Sequence, residues 1–160
     1  MAVEAEVLNE LHRLRARMPQ LTGALAAGAD GLVLAQDMPD VEPEGLAALT
    51  AAALGVGRRM ADLAAGGDFR ELLVRGSGGY VATYSAGPSA VLTLLADDRA
   101  NVGRLHLEGR RSGFRIAELV AARFPPDGPF VPGRPAAPGV RGRMLGALPV
   151  RIPPQSRHES

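Results

Sequence analysis

The sequence predicts an α/β domain of the α+β kind. It consists of a five-stranded antiparallel sheet flanked by helices on both faces, in the order α-β-β-α-β-β-β-α. Three observations predict it. Residues 4–18 and 43–64 repeat apolar side chains at spacings of three and four, the period of a helix with one buried side. The apolar runs beyond them are broken only by short Gly-, Asp- or Pro-containing stretches, too short for the crossover that parallel strands need. A last helical stretch opens at Asn101. With 160 residues, 46% hydrophobic and 22% charged, the chain suits one globular core.

The elements follow in order. Val7, Leu11, Leu14 and Met18 share one helical face, with Glu6, Glu10, Arg13, Arg15 and Arg17 placed largely away from it, and Pro19 ends that helix. Leu21–Ala27 and Leu32–Ala35 flank Asp30-Gly31, a hairpin signal because glycine tolerates positive φ. Pro43-Glu44 opens the second helix, where proline fits the first turn and the acid complements the helix dipole. In it Leu46, Leu49, Ala53, Val56, Met60 and Leu63 recur at three and four. Ala48, Ala52 and Gly55 form a small-residue face with Arg59 beyond, open to close approach by a helix or sheet. Gly66-Gly67 is the expected stop. Strands are expected over Phe69–Arg75, Gly79–Ser85 and Ser89–Ala96. Asn101 caps a helix carrying Val102, Leu105, Ile116, Leu119 and Val120, in which Gly109 and Gly113 require a close neighbour to justify their cost of about 1 kcal/mol each.

The search for chemistry returns little. No cysteine is present, which excludes disulfides, zinc–thiolate sites and cysteine nucleophiles. Aromatic residues are 4%, too few to line a haem or flavin pocket. His12, His106 and His158 have no metal-ligand spacing, and His106 is expected as a half-exposed surface residue. No Gly-x-Ser-x-Gly elbow occurs. Gly76-Ser77-Gly78-Gly79 stands between strands without the Lys-Ser/Thr of a phosphate loop and is expected to be a hairpin turn. Gly55-Val56-Gly57 lies inside a helix pattern, and Asp97-Asp98 reads as a strand end ahead of a helix N-terminus. The expectation is therefore no catalytic residue, no metal and no cofactor. The guanidinium clusters Arg58-Arg59 and Arg110-Arg111 with Arg115 are either a solvated face or contacts to a partner, since arginine forks pair bidentately with carboxylates.

Charge and proline divide the chain. Residues 1–122 hold 15 acids and 12 Arg, a balance of −3, whereas 123–160 hold two acids and six Arg, a balance of +4. Nine of the 13 prolines follow Ala122. A folded body over 1–122 and an extended Pro/Arg-rich tail over 123–160 are expected. In the tail, Met144–Ile152 is an apolar island suited to docking as an extended peptide. No stretch reaches the roughly 18 apolar residues of a membrane helix, and the acidic N-terminus lacks signal-peptide order, so a cytoplasmic location is expected.

Three stretches together resemble the roadblock family, named for the dynein light chain. They are Leu21–Ala35 after the Pro-terminated helix, Leu46–Ala61, and Leu73–Tyr80 through Val91–Ala96 to Asn101-Val-Gly103. The resemblance covers about residues 5–122, nearly the whole body, and implies a roadblock/profilin-like fold. It also implies a non-enzymatic homodimer that regulates a small Ras-like GTPase without donating an arginine finger, in bacterial operons that also carry a sensor kinase. Transferred to this chain, Glu44–Ala64 and Phe69–Arg75 form the dimer seam, with Leu49, Ala52, Val56, Arg59, Phe69 and Leu73 in or beside it. Arg58, Arg110, Arg111 and Arg115 are the candidate partner contacts, and neither a small-molecule substrate nor nucleic acid is expected. Two other readings compete: an accessory protein that binds nucleic acid or a membrane surface through its basic tail, and a small-molecule sensor of similar shape.

Overall fold

The structure, a computed structural model, describes residues 2–123. The tail expected beyond Arg123, including the island Met144–Ile152, lies outside these residues. The elements are α1 (Ala2–Arg17), β1 (Leu21–Gly28), β2 (Val33–Asp37), α2 (Pro43–Leu63), β3 (Glu71–Gly76), β4 (Gly79–Ser85), β5 (Ala90–Asp97) and α3 (Val102–Arg123). Their order is the one the sequence predicts. The strands form one antiparallel sheet in the order β2-β1-β5-β4-β3, leaving β2 and β3 as its edges.

Alternation along the strands sorts side chains onto two faces. Ala24 and Ala26 of β1 and Leu92 and Leu94 of β5 meet Val7, Leu11, Leu14 and Met18 from the first helix and Leu105, Ile116 and Val120 from the last. The intervening residues Leu25, Ala27 and Val91 face the other way, toward Ala47 and Leu54 of α2. Helices α1 and α3 thus cover one face and α2 the other. The second core is the smaller, and Leu54 at its centre is worth about 1.5–3 kcal/mol. A chain of buried hydroxyls supports it. Thr93 of β5 hydrogen-bonds Thr50 of α2 at 3.0 Å and Thr83 of β4 at 3.2 Å, so each partner is satisfied inside the protein.

Local sequence explains most boundaries. In the first hairpin Gly31 takes φ +85°, and Asp30 Oδ1 accepts from Leu32 N–H at 3.1 Å. A register shift between Ala26 and Ala27 makes that connection longer than a two-residue turn. The β3–β4 hairpin is tight, with Gly76 opposite Gly79, so Gly76-Ser77-Gly78-Gly79 is a turn. Asn101 Oδ1 accepts from Arg104 N–H at 2.9 Å and caps α3. Helix α2 ends before the expected Gly66-Gly67 stop. It closes at Leu63, and Ala65 takes the left-handed conformation with φ 51°.

Two expectations are corrected. Glu10, expected to lie largely away from the buried face, is 7% exposed, because α3 lies against that flank of α1. Ser112 Oγ donates to Glu10 Oε1 at 2.7 Å, and Arg17 bridges from Glu10 to Glu108. Strand β3 begins at Glu71 rather than Phe69, since Phe69 turns in beneath α2 instead of joining the ladder.

Candidate functional site

Helix α2 separates its small and large apolar residues. The side against the sheet is Ala47, Thr50, Leu54 and Gly57. Gly57 lets the helix come down on Phe69, whose ring atoms Cδ2 and Cζ lie 2.7 Å and 3.2 Å from where a Cβ would stand. The large residues point outward: Leu49, Val56, Met60 and Leu63 are 58–74% exposed. Leu49, Val56 and Leu63 stand seven apart, so they form one line along the helix, with Met60 beside it. Ala52 and Arg59 are exposed on the same outer half, while Gly55 meets nothing within 4 Å. Four of the six residues of the apolar repeat that marks this helix therefore lie on its solvent face, Leu46 and Ala53 being half-buried, and the sheet approaches on a different side from Ala48, Ala52 and Gly55.

Beside this line runs the edge strand β3. Leu72 and Val74 face the α2 side, Val74 exposed, and a groove of about 370 Å³ joins Met60 to Leu72. Leu73 turns to the opposite face, against the core under α1 and α3. Of the expected seam, Leu49, Ala52, Val56 and Arg59 thus come together on one open surface. Phe69 and Leu73 are half-buried inside the protomer, on opposite sides of the sheet. Met60, Leu63 and Val74 belong to the open surface but were not singled out. The seven-residue step from Val56 to Leu63 was the available signal.

The arginines separate by their partners. Arg110 grips Glu71 with two donors, Nε at 2.8 Å and Nη2. That bond holds the Glu71 carboxyl below its ordinary value, against the opposing effect of burial. Arg115 pairs with Glu118 at 3.1 Å, and Arg58 Nη2 donates to the Pro88 carbonyl at 3.4 Å. Arg111 is exposed and makes no hydrogen bond or ion pair among the described residues. His106 Nδ1 lies 3.1 Å from Tyr84 Oη, and burial pushes the Tyr84 hydroxyl well above its ordinary value. Tyr84 in turn fills the space left by Gly109, as the close-neighbour argument required, and Gly113 lies against the Ser85 carbonyl.

His12 is exposed, 4.0 Å from Asp37. Among the described residues no group of three or more His, Cys, Asp or Glu is placed to hold a metal. No helix among them is long and apolar enough to cross a membrane.

The geometry is an antiparallel sheet with two edge strands and, beside the β3 edge, one helix displaying an apolar line. Residues 7–96 match the model of the Roadblock/LC7 domain, and the chain belongs to that family. An uncharacterized protein of Methanocaldococcus jannaschii is 29% identical over 114 residues, spanning 71% of this chain and 96% of its own length. Among solved structures, the gliding protein MglB from Thermus thermophilus superposes with a TM-score of 0.68 at 24% identity, covering 76% of this chain and 93% of its own. A Roadblock/LC7 domain from Streptomyces avermitilis gives 0.65 at 24%, covering 71% and 96%. Acanthamoeba castellanii profilin II gives 0.50 at 14%, covering 72% and 97%. These likenesses establish the roadblock and profilin-like fold.

Proposed function

We propose that this chain is a non-enzymatic, dimeric regulator or scaffold of a small Ras-like GTPase in a bacterial signalling system. Two protomers join along α2 and the β3 edge. The observation that carries the reading is the open line Leu49, Val56, Met60 and Leu63 beside an unpaired edge strand. A monomer seldom leaves such a surface uncovered. A two-fold axis along α2 sets each line against its own copy and extends the sheet through β3, the self-complementary geometry of a closed dimer.

Family membership supports the partner class, and the fold is shared with MglB, which is described as a gliding protein. One neighbouring MglB structure is described as a tetrameric arrangement, which is in keeping with assembly through exposed faces. In this reading the dimer works in the cytoplasm and binds the GTPase in a chosen geometry, beside a sensor kinase, with hydrolysis left to the GTPase's own residues. Arg58, Arg110, Arg111 and Arg115 are candidate contacts.

The test is retention by the immobilised chain from source lysate loaded with a non-hydrolysable GTP analogue or with GDP, read by mass spectrometry. A small GTPase held in one nucleotide state supports the regulator reading, and stimulated GTP turnover by the purified pair would identify activation. Equal retention in both states supports a scaffold. Recovery of no GTPase overturns the functional assignment while leaving the fold intact.

A further inference from the structure

Helix α2 is charged only at its two ends. Glu44 stands in its first turn, with Asp40 and Glu42 just ahead of it, and the thirteen residues 45–57 that follow are uncharged up to Arg58 and Arg59. Glu42 caps the helix, its Oε2 accepting from Gly45 N–H at 2.8 Å. Glu44 and Arg59 are exposed and make no hydrogen bond or ion pair among the described residues. We propose that Glu44 and Arg59 are the residues by which this chain selects a second copy of itself along α2, each Glu44 meeting the partner's Arg59, twice in one dimer. The inference rests on the dimer proposed above and adds to it the orientation and register of the two helices.

The charge layout allows one orientation. Parallel helices set acid beside acid and base beside base. Antiparallel helices set each acidic end against the partner's basic end and also oppose their dipoles. Arg58 and Asp62 stand outside this balance. With Asp68 and Pro88 they line a cavity of about 430 Å³ on the flank of α2 toward the β4–β5 connection, where Arg58 donates to the Pro88 carbonyl at 3.4 Å. Arg59 is the charge of that end left on the outer half of the helix, beside the open apolar line.

Spacing sets the register. Residues 44 and 59 lie about 22 Å apart along the helix, so a two-fold axis midway between them passes beside Ala52. Ala52 is exposed, and Gly55 one turn on meets nothing within 4 Å, so two helices are free to close there. The same axis brings Leu49 beside the partner's Val56, and the apolar lines interlock in the register in which the charges pair. A pair at the rim stays in water, so it decides which partner is taken more than how tightly. A related chain that carries the opposite charge at either position is turned away by repulsion.

The test uses the full chain in two charge-reversed forms, Glu44→Arg and Arg59→Glu. Sedimentation velocity reads affinity, and native mass spectrometry reads the composition of mixtures. Each form alone sets like charges together twice, and its dissociation constant should rise at least about tenfold over the parent's at low salt. Mixed one to one, the two forms should give the mixed dimer well above the half that chance produces, because that dimer alone pairs unlike charges at both positions. The double variant Glu44→Arg/Arg59→Glu should associate within about twofold of the parent. Reversal in the first turn opposes the helix dipole, so circular dichroism checks folding. Glu44→Gln and Arg59→Gln are a gentler set, whose combination should cost no more than either alone. A monomeric parent overturns the seam and this inference with it. A dimeric parent whose reversed forms associate as it does, mix in chance proportion, or stay weak in the double variant overturns this inference and leaves the seam standing.

Discussion

Replacing Val56 with Glu tests the dimer seam where it is most exposed to refutation. Val56 is 58% exposed in the protomer and lies midway between Leu49 and Leu63. Fully burying a valine is worth about 1.5–3 kcal/mol, so the fraction still open contributes about 1 kcal/mol per protomer when a partner covers it. Both copies carry the change, so the apolar loss is about 2 kcal/mol per dimer. Two carboxylates must also leave water, each at about 1 kcal/mol or more without a partner. The total is about 4 kcal/mol, roughly a thousandfold in the dissociation constant. The same substitution touches no buried group of the protomer, so its unfolding free energy should move by less than about 0.5 kcal/mol. Sedimentation velocity across a concentration series reads the first quantity, and urea denaturation of the monomer reads the second. A variant that associates like its parent refutes the seam, as does a parent that is monomeric at tens of micromolar.

Gly109→Ala places a Cβ 2.5 Å from Cζ and 2.8 Å from Cδ2 of the buried Tyr84. Displacing the ring and its bond to His106 outweighs the helix-propensity gain of about 1 kcal/mol, for a net loss of about 1–3 kcal/mol in denaturant midpoints; a more stable variant would refute the contact. Thr93→Val leaves the Thr50 and Thr83 hydroxyls without their shared partner and should cost about 1–3 kcal/mol, with Thr93→Ser nearly neutral. Glu71 titrates below its unfolded value because Arg110 binds its charged form. Its contribution is complete above the ordinary carboxylate range and is lost as pH falls through the folded value, so Arg110→Ala should flatten the acid limb of the stability profile, read as denaturant midpoints against pH. Ala65→Gly relieves a left-handed alanine and should raise stability by about 0.5–1 kcal/mol, read as a higher melting temperature.

The sequence disclosed the fold wherever periodicity and burial coincide. Val7, Leu11, Leu14 and Met18 repeat as a helix should, and all four are buried. In α2 the same signal identified the helix but not its inner side. Apart from Leu54, its fully buried sheet-facing positions hold small residues that fit against Leu25, Val91 and Phe69, while Leu49, Val56, Met60 and Leu63 are left outside. Glu10 was unreadable for a different reason. Its partner Ser112 lies 102 positions away, and no local pattern announces so distant a bond. Phe69 has the composition of a strand residue, but the absence of a side chain at Gly57 draws it under the helix.

The strand order constrains how the chain is made. The sheet's central seam pairs Leu25 with Thr93 and Ala26 with Leu92, residues about 70 positions apart, so closing it requires a long loop. During synthesis the first hairpin leaves the ribosome with one side of β1 unmatched. It stays so through all of α2, β3 and β4, and β5 then fills the gap between two sheet pieces in one late event. A transcript cut short before Asp97 therefore produces no smaller working version. It releases a chain with an unsatisfied inner strand, the kind of species that cellular proteases clear.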